Sequence, residues 1–524
     1  MKISNKILYI LALILLFPAF LPNLGLLAFI DDEGIRSLVA LEMELSGNWI
    51  TPTLHGDYYY KKPPFFNWIL GAWYQVTGQA NEFYARLPTV AIMFAYAASI
   101  FGVLRPKYGT KFAFLSAFLL ITCGRVIFWE SMLSLIDMTF SWVMFMLFMV
   151  IYHFMEKQRY WPLFLLSYLL TAIGFMLKGL PAVVFQGLTL LMYFIYCGKI
   201  KKLFSLAHII GGLVFIVLIG GYYAIYDQYN SLENVFATLF TESSKRTAAN
   251  FSVGDTIGHL LAFPFELIYH FVPWTLLVLG FIRKDALALI RKDRFITFCL
   301  LTFGANIWIY WISPEVYPRY FLMLMPLIFI SSLYVFDFHK KENTIIYRIL
   351  DRLLLIICVV ISLASWAPLF AESVQFIPNL IPKTLLGVIL LSSATIGYYF
   401  KKEQRFLYLI LFLLSFRIVF NFFVLPHRNA NDYGDVVRKQ AQHLGTTYQD
   451  QELYVYKDLL MEPALSFYMT NTRGQIIPRK YQDFQGDALY IVHPDTIPKL
   501  NFEKVDSLLQ RHGNKPTYFI GKIK

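Results

Sequence analysis

Charge is the first thing this chain is short of. Asp, Glu, Lys and Arg make up 15% of its 524 residues, where a soluble globular chain carries about 25%. That shortage excludes a water-soluble globule of this length. Cysteine is rare as well. Cys123, Cys197, Cys299 and Cys358 lie far apart, in or beside apolar runs. Such spacing gives neither a disulfide framework nor a zinc cluster, so packed or lipid-facing thiols are expected. There is no glycine-rich nucleotide loop, no internal repeat and no low-complexity tract. Nothing therefore indicates an ATP-driven reaction or a solenoid. The formal charge of +12 does not point to nucleic acid, because the bases fall mainly in short connections between apolar runs.

What the chain has is apolar length. It is 57% hydrophobic and 18% aromatic, with a mean hydropathy of +0.53. Apolar runs recur near the ~20 residues that cross a bilayer. The first, from Leu8 to Phe29, follows Lys2 and Lys6 and lacks a small-residue cleavage pattern, so it is read as a retained span. Further runs near 90–104, 112–128, 132–152, 161–177, 181–197, 206–226, 263–282, 295–312, 320–336, 347–364, 383–400 and 405–426 bring the expected total to about thirteen. Alternate connections are basic: Arg105 to Lys111, Lys157 and Arg159, Lys199 to Lys202, Arg283 to Arg294, Lys340 and Lys341, and Lys401 to Arg405. All fall on the side of Lys2 and Lys6, which predicts a cytoplasmic N-terminus; the membrane is expected to be a bacterial inner membrane. The opposite face then carries residues 30–88, the turn at Trp129-Glu130, Lys178-Gly179, the loop 227–262, Ser313 to Arg319, residues 365–381 and everything after Pro426.

The expected division is a transmembrane domain over 1–426, with a long first outer loop at 30–88, and an extracytoplasmic α/β domain over 427–524. In the loop, Ile35, Leu38, Leu41 and Leu45 repeat at helical spacing, predicting an amphipathic helix on the membrane surface. A second interfacial helix is expected from Phe65 onward. Beyond Pro426 the pattern predicts a helix over Tyr433 to Leu444 and a helix over Pro463 to Met469. Strands are predicted at 453–456, 476–477, 488–492 and 518–520.

Ionisable groups at membrane depth are costly and default to function. Asp31, Asp32 and Glu33 end the first span. Asp137 lies a turn or two inside the fourth, on its outer side, with Glu130 before it. Lys178 closes the fifth, and Glu315 and Arg319 lie between the ninth and tenth. All are expected on the outer face. Plainer explanations stand beside these: solvated helix caps for Asp31, Asp32 and Glu33, a structural pair with Arg125 or Arg86 for Asp137, and snorkelling for Lys178 and Arg319. Arg417, inside the last span, is either a structural pair or a lipid-phosphate contact. Carboxylates and cations sharing one outer cavity suit a substrate that arrives already activated, such as a lipid-linked phosphosugar. A carboxylate would take the acceptor's proton and the cations would stabilise the departing phosphate.

The first loop runs Asp32-Glu33, Glu42-Met43, Gly47-Asn48-Trp49, Tyr59-Tyr60-Lys61-Lys62-Pro63-Pro64 and Asn81 to Pro88. Asp137, Lys178-Gly179-Leu180-Pro181 and Tyr317-Pro318-Arg319-Tyr320 follow. In this order the chain resembles the GT-C fold glycosyltransferases of the protein O-mannosyltransferase and lipid A aminoarabinose transferase type. The resemblance covers residues 1–426 in topology and the first 90 in motif detail. It implies a polytopic all-α membrane glycosyltransferase of EC class 2.4, hexosyl or pentosyl, using a polyprenyl-phosphate sugar donor. The acceptor would be a lipid A-like glycolipid, another glycan or a protein, and the enzyme a monomer among membrane lipids. Asp32, Glu33 and Asp137 would be catalytic. Lys62, Tyr59, Arg86, Lys178, Arg319 and Tyr320 would bind the donor. Asp137 would position the acceptor or a divalent ion, and no metal ligand set is assigned. Two departures bear on specificity: Lys61 stands where the aminoarabinose enzymes have Glu, and Gly34-Ile35-Arg36 replaces an Arg-Tyr. A polysaccharide polymerase or ligase and a lipid-linked glycan flippase are the alternatives. The flippase is disfavoured because the polar residues gather on one face, and the polymerase or ligase because the largest outer loop comes early.

Overall fold

The computed structural model describes residues 4–244, 251–510 and 517–524; Lys2 lies outside them. Seven described helices are long and apolar enough to cross a membrane, and two shorter ones, Asn5–Phe20 and Pro181–Tyr196, are apolar as well. The protein is an integral membrane protein. The runs expected near 90–104 and 112–128 share one continuous stretch, Glu82–Thr122, in which Gly109 leaves the helix at φ +77°. Glycine takes that conformation at no steric cost. The run expected over 263–282 is not one helix. It divides into Val253–His270 and a 3-10 segment, Trp274–Phe281, with Pro273 between them, where the missing N–H ends the helical ladder. The last expected run is Arg405–Val419, continued through a π segment, Phe420–Val424, into Leu425–Asn431.

The first loop folds into the centre of the molecule. Its helix Glu33–Ser46 is buried from Glu33 to Met43 apart from Ile35, which is half-buried. This corrects the expectation that it lies on the membrane surface. A helix apolar on one side only would suit a lipid boundary, but here protein covers the polar side too. Glu42 shows how. Its carboxylate accepts hydrogen bonds from Thr53 Oγ1 (2.7 Å) and from the His55 (2.7 Å) and Gly56 (3.1 Å) amides. It thereby holds the hairpin of β1 (Thr53–Leu54) and β2 (Asp57–Tyr58) against the helix. The expected second loop helix is present as Phe65–Thr77.

The C-terminal region carries helix Gly434–Thr447 and a five-stranded sheet. Its strands are β3 (Leu453–Tyr456), β4 (Arg479–Lys480), β5 (Leu489–Val492), β6 (Phe502–Leu508) and β7 (Tyr518–Ile523), in the order β4-β3-β5-β7-β6. β3 runs parallel to β4 and β5, whereas β7 is antiparallel to both its neighbours. The helix Pro463–Arg473 connects β3 to β4 and packs on the first loop. Arg438 pairs with Glu82 at 2.9 Å and Arg479 with Asp57 at 3.1 Å. His55 is buried at this contact, 3.4 Å from Ser466 Oγ. Burial, with Arg479 nearby, pushes its imidazole down to about 4, so it is neutral near pH 7.

Gly34 sets how closely this domain approaches. A Cβ there would lie 2.5 Å from the Ala464 amide nitrogen, a backbone atom. Gly34→Ala is therefore expected to push helix Pro463–Arg473 off the loop helix and cost about 1–3 kcal/mol. Limited proteolysis should then release the region after Pro426 faster than in wild type, at unchanged membrane insertion.

Candidate active site

Two adjacent helices bring opposite charges to one level. Asp137 lies in the first turn of Ile136–Glu156, and Lys178 is the last residue of Tyr160–Lys178. Each sits at the helix end that its charge favours. Gly179, at φ +80°, then reverses the chain, and Pro181 opens the next helix. The Lys178 ammonium donates to Asp137 Oδ1 at 2.5 Å and lies 3.8 Å from the centre of the Tyr320 ring. Asp137 thus pairs with Lys178, not with Arg125 or Arg86.

Arg319, in the 3-10 turn Pro318–Phe321, gathers the rest. It is 4% exposed. Its Nη1 donates to Asp31, its Nη2 lies 3.6 Å from Asp32 and its Nε lies 3.5 Å from Asp137. Its plane rests on the Tyr317 ring, 4.4 Å from the centre, a cation–π contact. Burial alone would lower its pKa, but the Asp137 and Asp31 carboxylates outweigh that and raise it. Lys62, half-buried in the first loop, acts electrostatically on Asp137. The cluster therefore holds Asp31, Asp32 and Asp137 against Lys62, Lys178 and Arg319.

Three of the expected residues lie elsewhere. Glu33 is fully buried and clamps Arg86 through two hydrogen bonds of 2.9 Å. It also accepts from the Ile30 amide at 3.1 Å and the Ser134 amide at 2.7 Å. Arg86 spends its remaining N–H groups on the carbonyls of Leu24, Leu27 and Ala28. This pair is a structural clamp beside the cluster. Tyr59 is buried beneath Arg36, which donates to its hydroxyl at 2.5 Å. Arg417 is buried with the Ala19 and Ile127 carbonyls as its partners and with Phe20 and Phe420 rings on its faces.

Asp31 is expected at the outer face as an ionisable group without an assigned role, and Tyr317 is not among the expected site residues. Asp31 is one of three consecutive acids, and only its backbone, at φ +54°, separates its direction from that of its neighbours. Tyr317 had a local signal, an aromatic two residues before an arginine. Among the described residues, no three or more His, Cys, Asp or Glu side chains are grouped to hold a metal ion. The three carboxylates converge on Arg319, so the site does not fit a divalent ion.

A family model described as dolichyl-phosphate-mannose-protein mannosyltransferase matches residues 61–222. An uncharacterised protein of Aquifex aeolicus is 22% identical over 384 residues, covering 72% of this chain and 73% of that protein. The crystal structure of ArnT from Cupriavidus metallidurans in the apo state superposes with a TM-score of 0.70 at 17% identity, covering 99% of this chain and 97% of ArnT. The chain has the GT-C fold of ArnT. A second ArnT structure, bound to undecaprenyl phosphate, matches equally well at 16% identity. The GT-C likeness thus spans the C-terminal domain as well as the helices, beyond the 1–426 expected from the sequence.

Glu130 sits just outside the cluster, buried and paired with Arg125 at 2.7 Å. Burial pushes its carboxyl up to about 7; Arg125 pulls it down and Asp137 adds to the rise. A folded-state pKa above the unfolded one near 4.5 means that the folded form holds a proton which the unfolded form has lost. Stability from this group is full below about 4.5 and is lost as pH rises through about 7. Glu130→Gln is expected to remove that decline of a few kcal/mol, read as a flatter melting-temperature profile between pH 4.5 and 7.5.

Proposed function

We propose that the chain is a glycosyltransferase that moves a sugar from a polyprenyl-phosphate donor to an envelope acceptor at the extracytoplasmic face of a bacterial inner membrane. One observation carries the assignment of the base. Asp137 is held by Lys178 at 2.5 Å, Asp31 by Arg319, and Glu33 by four hydrogen bonds. The Asp32 side chain is 51% exposed, with Arg319 at 3.6 Å. It is the carboxylate of this group most available for an incoming proton.

The reaction follows from this division. The acceptor hydroxyl gives its proton to Asp32 as its oxygen attacks the anomeric carbon. The bond from that carbon to the phosphate oxygen breaks, and the electron pair leaves with the polyprenyl phosphate. Arg319 can receive it. Its Nε and Nη2 lie 3.5 and 3.6 Å from carboxylates, beyond ordinary hydrogen-bond length. Lys178 and Lys62 add charge where it develops. Both the family model, named for a dolichyl-phosphate sugar donor, and the ArnT structure with undecaprenyl phosphate support a lipid-phosphate carrier. Glycolipid, glycan and protein acceptors all fit the proposed step, as do hexosyl and pentosyl donors.

The test is release of polyprenyl phosphate from a panel of polyprenyl-phosphate sugars by the purified chain in lipid nanodiscs. Mass spectrometry of envelope lipids and glycoproteins with and without the chain would identify the acceptor. Donor consumption is expected for at least one sugar; failure across the panel overturns the proposal. Asp32→Asn should lower kcat by about a thousandfold or more, with the melting temperature unchanged. Normal turnover would remove Asp32 from its role. Lys62→Ala should raise the donor KM about tenfold, with a smaller effect on kcat; an unchanged KM rules out that contact.

A further inference from the structure

We propose that Tyr468, in the C-terminal domain, is a positioning residue for the carboxylates at the end of the first span. The inference rests on the reading above that these carboxylates carry the chemistry. The Phe29 amide donates to the Tyr468 hydroxyl at 2.8 Å, and that hydroxyl donates to Glu82 Oε1 at 2.7 Å. Arg438 donates to the same Glu82 oxygen at 2.9 Å. Phe29, Tyr468 and Glu82 are at most 5% exposed. The rings of Phe29 and Tyr468 stack at 5.9 Å, and Phe467 meets Phe29 edge-on at 5.0 Å. The domain thus grips the residue that lies two before Asp31 and three before Asp32.

That grip matters because of the backbone that follows. Asp31 stands at φ +54°, a region L-residues other than Asn, Asp and Gly rarely occupy. Such a conformation persists where its surroundings over-determine it. The two amides ahead of it are both tied, Phe29 to Tyr468 and Ile30 to Glu33. Only the second tie belongs to the first loop itself. The first comes from more than four hundred residues away in the chain. Without it, the buried Phe29 N–H loses the hydroxyl it donates to, a loss that favours another backbone path. Asp31 would then leave Arg319, and Asp32 would turn with it.

Tyr468→Phe tests this, since the stacked ring remains and only the hydroxyl goes. Hydrogen exchange of the Phe29–Glu33 segment, read by mass spectrometry on the full chain in nanodiscs, is expected to speed up about tenfold. With a donor accepted by wild type, kcat should fall about tenfold and the donor KM stay within about twofold. Tyr398→Phe is the control. Tyr398 is equally buried and its hydroxyl donates to Asp351 at 3.1 Å among the basic connections; its loss should change neither quantity. Glu82→Ala should reproduce the faster exchange, and Glu82→Gln, which keeps an acceptor oxygen, should restore protection. Unchanged exchange in Tyr468→Phe overturns the proposal, as does faster exchange with unchanged kcat. If wild type consumes no donor, the glycosyltransferase reading falls, while the exchange series still decides whether Tyr468 orders the segment.

Discussion

The structure depends on a buried ion pair whose hydrogen-bonding capacity is fully used. Glu33 and Arg86 meet through two hydrogen bonds, and all five N–H groups of Arg86 are occupied. Burying two charges at a membrane boundary carries a desolvation cost that mutual attraction offsets only when every lone pair and proton finds a partner. Here they do, and the partners belong to three separate pieces of chain. The carbonyls of Leu24, Leu27 and Ala28 come from the segment after helix Asn5–Phe20, which stops short of the Phe29 expected from the sequence. Glu33 opens the loop helix, and the Ser134 amide precedes the helix of Asp137. The clamp therefore sets the mutual placement of Asp31, Asp32 and Asp137 before any substrate arrives.

Around that fixed point the remaining charges sort by how completely they are satisfied. Three carboxylates and three cations are near balance, so the cluster can exist without a ligand. The balance is uneven in its geometry. The contacts of Asp137 with Lys178 and of Asp31 with Arg319 are short, whereas Asp32 and one edge of Arg319 are held at longer range. Loosely held groups of opposite sign side by side can receive a proton on one side and an anion on the other. A site saturated throughout would be a strut, and one with a single unpaired charge would not stay buried.

The membrane pattern was legible because apolar length and basic loops are properties of composition. The helices near 136–156, 160–178, 181–196, 206–226 and 380–400 fall close to where the runs placed them. Where polar or punctuating residues interrupt, the pattern misled. Pro273 divides the stretch 263–282, and β6 was missed because Glu503, Lys504 and Asp506 give an exposed edge strand little hydrophobic signal. The candidate cluster was legible as residue types: Asp32, Asp137, Lys178, Arg319 and Tyr320 are brought together, and Lys62 acts on Asp137 electrostatically. Periodicity could not say which acid faces which base. Asp31, Asp32 and Glu33 are consecutive, yet they part three ways: to a short bond with Arg319, to partial exposure, and to the Arg86 clamp. The positive φ at Asp31 separates them, and no local sequence signal announces it.

Helix geometry links the cluster to the membrane independently of fold likeness. Ile136–Glu156 has 21 residues and Tyr160–Lys178 has 19. At 1.5 Å per residue each rises about 30 Å, the thickness of a bilayer's hydrocarbon core. Asp137 begins the first and Lys178 ends the second, and they touch. The two helices therefore run out and back over one bilayer thickness, with Lys157 and Arg159 at the far turn. Basic residues favour the cytoplasmic side, a preference that agrees with the extracytoplasmic face proposed above for Asp137 and Lys178. Arg319 reaches both Asp137 and Asp31, which puts the segment between helices Asn5–Phe20 and Glu33–Ser46 at the same level. A donor of the kind proposed, with its lipid tail in the bilayer, would present its phosphate at that depth, beside Arg319 and Asp32.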